Sequence, residues 1–143
     1  MNDRRKILFL CTGNSCRSQI AEGWLRHYFS DRYNAYSAGT KPGKLDPRAV
    51  KIMAEGGVDI SSHKSKSVDD FGDIEFDYVI TVCDNARENC PFFPAKVRLI
   101  HKGFEDPPIL ALEAKSEDEA LGFYRRIRDE IEDFILNIKD YLV

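Results

Sequence analysis

The stretch Phe9-Leu10-Cys11-Thr12-Gly13-Asn14-Ser15-Cys16-Arg17-Ser18 decides the reading of this chain, because an apolar run gives way there to small polar residues and then to an arginine. Ahead of it, Lys6 to Leu10 is a short aliphatic and aromatic run, read as a buried strand. Behind it, Ser18 to Phe29 places Ile20, Ala21, Trp24, Leu25 and Tyr28 on one face of a helix. A loop of small residues between a strand end and a helix start can turn its backbone N–H groups inward, and the helix dipole adds positive potential at the same point. The expected product is an anion cradle. It is not a Walker A loop, since G-x-x-x-x-G-K-[ST] is absent and no lysine lies inside it.

Thr12, Gly13, Asn14, Ser15 and Cys16 are the candidate anion-binding residues, with Arg17 offering a planar fork to two oxygens of a tetrahedral oxyanion. Cys11, at the foot of the cradle, meets the same dipoles and the guanidinium. These favour the thiolate and make Cys11 the candidate nucleophile. Ser18 is placed either to donate to that thiolate or to cap the helix. Cys16 also reads as a small buried residue, the common fate of a free cysteine.

Working outward, Tyr36 to Ala38 is a brief strand ending in a loop rich in glycine and proline, "GTKPGKLDP". Asp46 then caps a helix with Pro47 at its first position and Gly56–Gly57 as its stop. "FDYVITVC" and "KVRLIHKGF" are the next two strands, and both read as central. From Glu117 a long amphipathic helix carries Leu121, Tyr124, Ile127, Ile131, Phe134, Ile138 and Tyr141 as a core-facing stripe. Strands alternating with helices predict an α/β fold, a parallel sheet with helices on both faces and its ligand beyond the carboxyl ends of the strands.

The 143 residues are expected to form one domain, 1–143, long enough to bury about 70% of the surface of the unfolded chain. A net charge of −3 argues against nucleic acid or an anionic membrane as partner, so any anion site is local. The apolar run after the basic start is too short for a secretory signal, and no stretch is long enough to span a bilayer. Both absences predict the cytoplasm, where Cys11, Cys16, Cys83 and Cys90 are not expected to be permanent disulfide staples. Zinc is disfavoured, because the cysteine pairs are spaced too widely and His27, His63 and His101 are scattered. No exposed feature demands more than a monomer.

C-x5-R-S at a strand-to-helix turn near the N-terminus resembles the low-molecular-weight protein tyrosine phosphatase superfamily. That resemblance implies a single three-layer domain with a four-stranded parallel sheet of order 2-1-3-4. In "GFEDPP", Asp106 followed by Pro107 resembles the family's general acid, and protonating a leaving oxygen does require such a group beside the cradle. Cys83 and Cys90 sit in "VCDNARENC", directly after the stronger of the two later strands. Thiol–disulfide exchange requires accessible sulfurs in series. The set Cys11, Cys83, Cys90 with Asp106 resembles the thioredoxin-coupled arsenate reductases built on the phosphatase scaffold.

The reductase resemblance implies that Cys11 attacks arsenate, Cys83 attacks Cys11 as arsenite leaves, and Cys90 attacks Cys83 to give a disulfide that thioredoxin reduces. It further implies that a local helix over "DNARE" unwinds to bring the last two sulfurs together. No cofactor is expected to be bound. Phosphate and sulfate are the expected mimics of arsenate, and the reductant stays open between thioredoxin and glutathione with glutaredoxin. The alternatives are a phosphotyrosine phosphatase using Cys11, Arg17 and Asp106 alone, or a non-enzymatic oxyanion or redox module. Cys83 and Cys90 would then be separate buried thiols. Against the phosphatase, Pro108 and Ile109 follow Asp106 where aromatic residues would grip a phenyl ring. For it, "SSHKSK" leans toward the phosphatase branch.

Many relatives of the reductase type hold a potassium ion near the cradle. Asn14, Glu22 and Ser37 match that set, whereas Lys64 and Lys66 stand where threonine and aspartate are expected. The expectation is that no metal is bound and that the Lys64 ammonium replaces the ion.

Overall fold

A computed structural model describes residues 4–83 and 95–142. Its helices and strands in chain order are β1 (Arg5–Cys11), α1 (Arg17–Phe29), β2 (Tyr33–Gly39), α2 (Pro47–Glu55), β3 (Tyr78–Thr81), β4 (Arg98–His101), α3 (Pro107–Leu110) and α4 (Glu117–Leu136). Ile7, Leu8, Phe9 and Leu10 are all fully buried, which suits a parallel strand covered on both faces. β1 accordingly lies inside the sheet, whose order is β2-β1-β3-β4 with every pairing parallel. Cys11 stands opposite Gly39, and Leu10 opposite Thr81. The carboxyl ends of three strands therefore finish side by side, where an α/β sheet holds its ligand.

Side chains alternate across the sheet. Ile7, Phe9 and Ile80 pack with Trp24 and Leu25 of α1, Ile52 and Met53 of α2, and Ile127, Ile131 and Phe134 of α4. The indole N–H of Trp24 donates to the Arg128 carbonyl at 3.2 Å and ties α1 to α4. On the opposite face Leu8, Leu10, Phe76 and Val79 pack with Val68, Phe71 and Ile74. The expected second helical layer is represented there, among the described residues, by a 3-10 turn at Val68–Phe71.

Two boundaries and one position depart from expectation. β2 runs further in both directions than Tyr36–Ala38. α4 stops at Leu136 although its apolar stripe continues; there the Asn137 side chain donates to the Asp133 carbonyl at 2.8 Å and competes with Asn137's own N–H, which reaches the same carbonyl at 3.3 Å. A 3-10 turn at Ile138–Asp140 carries the stripe on. β3 is internal as expected, but β4 is the edge strand, with only Ile100 buried and Leu99 37% exposed. The α2 signals do hold: Asp46 accepts from the Arg48 N–H at 2.9 Å, Pro47 opens the helix, and Gly57 turns the chain away at φ +88°.

Candidate active site

The loop from Cys11 to Arg17 is shaped by what its carbonyls do. Thr12 O accepts from the Lys41 N–H at 2.9 Å, Gly13 O from Gly43 at 3.0 Å and Ser15 O from Asp46 at 2.9 Å. Asn14 O accepts from the Ser65 hydroxyl at 2.8 Å and the Gln19 amide at 3.0 Å, and Cys16 O accepts from the Ile20 N–H. In a trans peptide the N–H points opposite to the carbonyl, and the chain has no cis bond among the described residues. Anchoring the carbonyls outward turns the N–H groups of residues 13 to 17 toward the loop interior. The segments 39–46 and 63–67 thus form an outer frame that makes the anion cradle.

Asn14 is the hub of this frame. It is fully buried and the only non-glycine residue at positive φ among those described, at +48°. Asparagine tolerates that region better than most residues, and its side chain here repays the strain. Asn14 Oδ1 accepts from the Lys66 N–H at 2.7 Å, which fixes Nδ2 as the atom donating to Ser18 Oγ at 2.8 Å. Ser18 Oγ is therefore an acceptor from Asn14, and its own hydrogen is left for Cys11 Sγ, 2.9 Å away. The Asn14 backbone N–H also reaches Cys11 Sγ at 3.3 Å. Two donors thus converge on this one sulfur. Ser18 is not the cap of α1: Cys16 occupies that N-cap, without a side-chain cap.

Arg17, 5% exposed, donates from Nη1 to the Phe104 carbonyl at 2.9 Å and sets Nη2 3.6 Å from Asp106 Oδ2. Asp106 lies at the N-cap of α3, a quarter exposed, so the carboxyl stands at the mouth of the cradle beside the guanidinium. Cys16 is buried, and burial, followed by the charges of Asp46 and Asp106, pushes its thiol well above the ordinary cysteine range. It stays a neutral thiol.

Cys83 follows β3 and is fully buried. Val82 on one side of it donates to Leu10 O at 3.0 Å and accepts from the Phe104 N–H at 3.2 Å. That ladder brings Cys83 to the same sheet edge as Cys11. Cys11 and Cys16 are free thiols, whereas Cys83 is disulfide-bonded. Cys90 and the "DNARE" segment lie outside the described residues.

The expected ion-replacing lysine needs correcting. Asn14, Glu22 and Ser37 do come together, with the Ser37 hydroxyl donating to Glu22 Oε1, but Lys64 is exposed and supplies only its carbonyl, to Gln19 and to the Lys66 ammonium. The ammonium that faces Glu22 Oε1, at 3.7 Å, belongs to Lys66. The backbone of residue 66 is tied to the cradle, its N–H bound to Asn14 Oδ1 and its carbonyl to the Gly39 N–H, which sets the Lys66 side chain beside Glu22. Arg26 adds a second cation, at 3.0 Å from Glu22 Oε2. A carboxylate already facing an ammonium and a guanidinium does not fit a potassium ion. Burial holds Lys66 below the usual lysine range, with Glu22 opposing the shift.

Sequence reasoning missed Gly39. A Cβ built there would lie 2.4 Å from Thr12 O, 2.9 Å from Asn14 N and 3.0 Å from Gly13 C. The visible signal was a glycine closing a strand next to a Pro/Gly loop; what it packs against was not visible.

A buried free cysteine in a cradle of inward amides, backed by an arginine and faced by a carboxyl on a separate loop, is the layout expected of an enzyme that attacks tetrahedral oxyanions. Residues 6–140 match the low molecular weight phosphotyrosine protein phosphatase family, and the chain belongs to that family. Within it, the chain is 46% identical over 128 residues to an arsenate reductase of Bacillus licheniformis, covering 90% of each. It also superposes on a solved arsenate reductase in its phosphate-binding state with a TM-score of 0.76 at 26% identity, covering 97% of this chain and 99% of the other. A thioredoxin-dependent arsenate reductase of Corynebacterium glutamicum matches with a TM-score of 0.65 at 28% identity, covering 97% of this chain and 62% of that one.

Proposed function

We propose that this protein is an arsenate reductase that converts arsenate to arsenite through a relay of three cysteines. The observation that carries the reading is the pairing, at one sheet edge, of a free Cys11 in the oxyanion cradle with a disulfide-bonded Cys83. A hydrolase needs the first sulfur and has no use for the second.

In the proposed sequence the oxyanion sits on the amides of residues 13 to 17 and on the Arg17 fork. Cys11 Sγ attacks arsenic(V) and Asp106 protonates the departing oxygen, which leaves as water. The Cys83 thiolate then attacks Cys11 Sγ; the electron pair of the S–As bond passes to arsenic, arsenite departs, and a Cys11–Cys83 disulfide remains. Cys90 attacks Cys83, freeing Cys11 and leaving a Cys83–Cys90 disulfide for the external reductant. Ser18 steadies the Cys11 thiolate at both ends of the cycle. The Corynebacterium relative supports thioredoxin as that reductant. A relay fed by reduced thiols suits the cytoplasm, and a monomer suffices for the chemistry. Lys66 in place of an ion implies activity independent of potassium.

The decisive assay couples arsenate reduction to NADPH oxidation through thioredoxin and its reductase, run beside hydrolysis of an aryl phosphate and a parallel arm with glutathione and glutaredoxin. Turnover only with thioredoxin, and a Cys83–Cys90 disulfide by mass spectrometry after one turnover, are expected. Aryl phosphate hydrolysis without arsenate turnover would favour the phosphatase reading, for which Cys11, Arg17 and Asp106 suffice.

A further inference from the structure

The arginines near carboxylates are well matched: Arg17 faces Asp106, Arg26 Glu22, Arg48 Glu117, Arg125 Glu55, Arg126 Glu105 and Arg128 Asp129. In a chain of net charge −3, acids are not scarce. Yet Arg5, Arg32 and Lys139 make no ion pair among the described residues, and all three line one cavity of about 420 Å³, together with Tyr33, Tyr78 and Leu142. Among the described residues, no acidic side chain lines it. Solvated surface cations need no partner, but three of them converging on a cavity of ligand size is a different arrangement.

The walls of this cavity are rigid. Arg5 and Tyr33 stand opposite each other at the amino ends of β1 and β2. The Arg5 guanidinium donates from Nη1 to the Tyr78 hydroxyl at 2.9 Å and lies 5.6 Å from the centroid of that ring. The Tyr78 hydroxyl in turn donates to the Leu142 carbonyl at 2.8 Å, which fixes its orientation. With one N–H used in holding it, the fork retains donors for an oxyanion. Arg32 and Lys139 are exposed and unrestrained, so they can close on a bound charge.

We infer that this cavity is a second anion site that takes a small ligand carrying two linked phosphates. Three positive charges with no acidic side chain among the described lining residues exceed what a single phosphate of about −1.5 to −2 balances, and they match a diphosphate. The half-buried Tyr33 ring supplies a wall for whatever the phosphates carry. Arg5 opens β1 and Cys11 closes it, so the two anion sites lie about 20 Å apart at opposite ends of the sheet, at roughly 3.3 Å per residue. Occupancy here does not displace the oxyanion at Cys11, and the inference holds whichever oxyanion Cys11 attacks.

The test is an amide-resolved NMR titration of the reduced protein with inorganic pyrophosphate, in wild type and in an Arg5→Gln/Arg32→Gln variant. Saturable shifts are expected at residues 32–34 and 139–142, with the affinity reduced about tenfold or more in the variant, since each charge-assisted hydrogen bond lost is worth on that order. Arsenate turnover should stay within about twofold, as for surface substitutions away from a site. Shifts confined to residues 11–17, equal affinity in both proteins, or orthophosphate binding as tightly as pyrophosphate would overturn the inference. Should the double variant fail to fold, exposed Lys139→Gln replaces it, with weakened pyrophosphate binding expected and unchanged binding overturning the proposal.

Discussion

Replacing Gly39 with alanine tests the idea that an outer frame shapes the anion cradle. The new methyl would sit 2.4 Å from Thr12 O, where ordinary contact begins at 3.4 Å, and 2.9 Å from Asn14 N. All its near neighbours are backbone, so no side chain can swing aside. β2 cannot easily retreat, because the Gly39 N–H is bound to Lys66 O at 2.8 Å and Lys66 N–H to Asn14 Oδ1 at 2.7 Å. The loop must therefore yield by about 1 Å at the peptide that carries its inward amides. Overpacking of this kind costs about 1–3 kcal/mol of stability. A misplacement of about 1 Å at a reacting centre costs on the order of 100-fold in rate. The expected result is a kcat/KM for arsenate lower by about 100-fold, weaker inhibition by phosphate, and a fold that still melts cooperatively. Gly43→Ala is the control, since a Cβ there meets nothing within 4 Å. If Gly39→Ala retains kcat/KM within about threefold of wild type, the frame does not control the cradle and the reasoning from outward carbonyls fails.

Asp106→Asn keeps the shape beside Arg17 but cannot give up a proton, and should lower kcat by about 10²–10⁴-fold with little change in phosphate inhibition, measured by steady-state kinetics. Potassium exchanged for sodium should leave kcat/KM unchanged in wild type, because the Lys66 ammonium already faces Glu22; a several-fold rise with potassium would contradict that role. His63 is held below the usual histidine range chiefly by burial, with its Nδ1 on Gln19 Oε1 at 3.0 Å. The unfolded chain then takes up a proton at a higher pH than the folded one, so stability falls as pH drops below about 6.5 and levels off once His63 titrates in the folded state. Thermal melts between pH 7.5 and 5 should show that acid-side slope, and His63→Gln should flatten it.

Much of the fold was legible because its signals are local. Asp46, Pro47 and Gly56–Gly57 each act within a turn of the helix they bound, and the apolar run from Ile7 to Leu10 announces a strand buried on both faces. The position of β4 was not legible, since "KVRLIHKGF" has the apolar content of an inner strand and only the pairing reveals that Val97 and Leu99 stay exposed. The extra length of α4 looked certain from periodicity, and a single asparagine side chain ended it. At the site, the residues of C-x5-R-S and Asp106 could be picked out by chemical type. Their mutual geometry could not, because Gly39, Lys66 and Phe104 reach the loop across long stretches of chain. The choice between Lys64 and Lys66 shows the limit plainly: two residues of the same type, two apart, differ in that the backbone of residue 66 is bonded to Asn14 and Gly39, distant in sequence.

The same frame explains how one scaffold can serve two chemistries. Under the proposed function, nothing that would hold the oxyanion distinguishes hydrolysis from reduction: the inward amides, Arg17, Ser18 and Asp106 would serve attack by Cys11 on phosphorus or arsenic alike. The outcome is decided by what reaches the adduct next. Water attacking the central atom returns the oxyanion, whereas a thiolate attacking Cys11 Sγ leaves the electron pair on that atom, a step open to arsenic because arsenite is a stable product. Cys83 is buried just past the end of β3, a strand that β1 holds in register and whose exit is tied to it by the Val82 N–H on Leu10 O. In the proposed cycle the attacking sulfur can therefore change while the hydrogen bonds that frame the cradle remain in place.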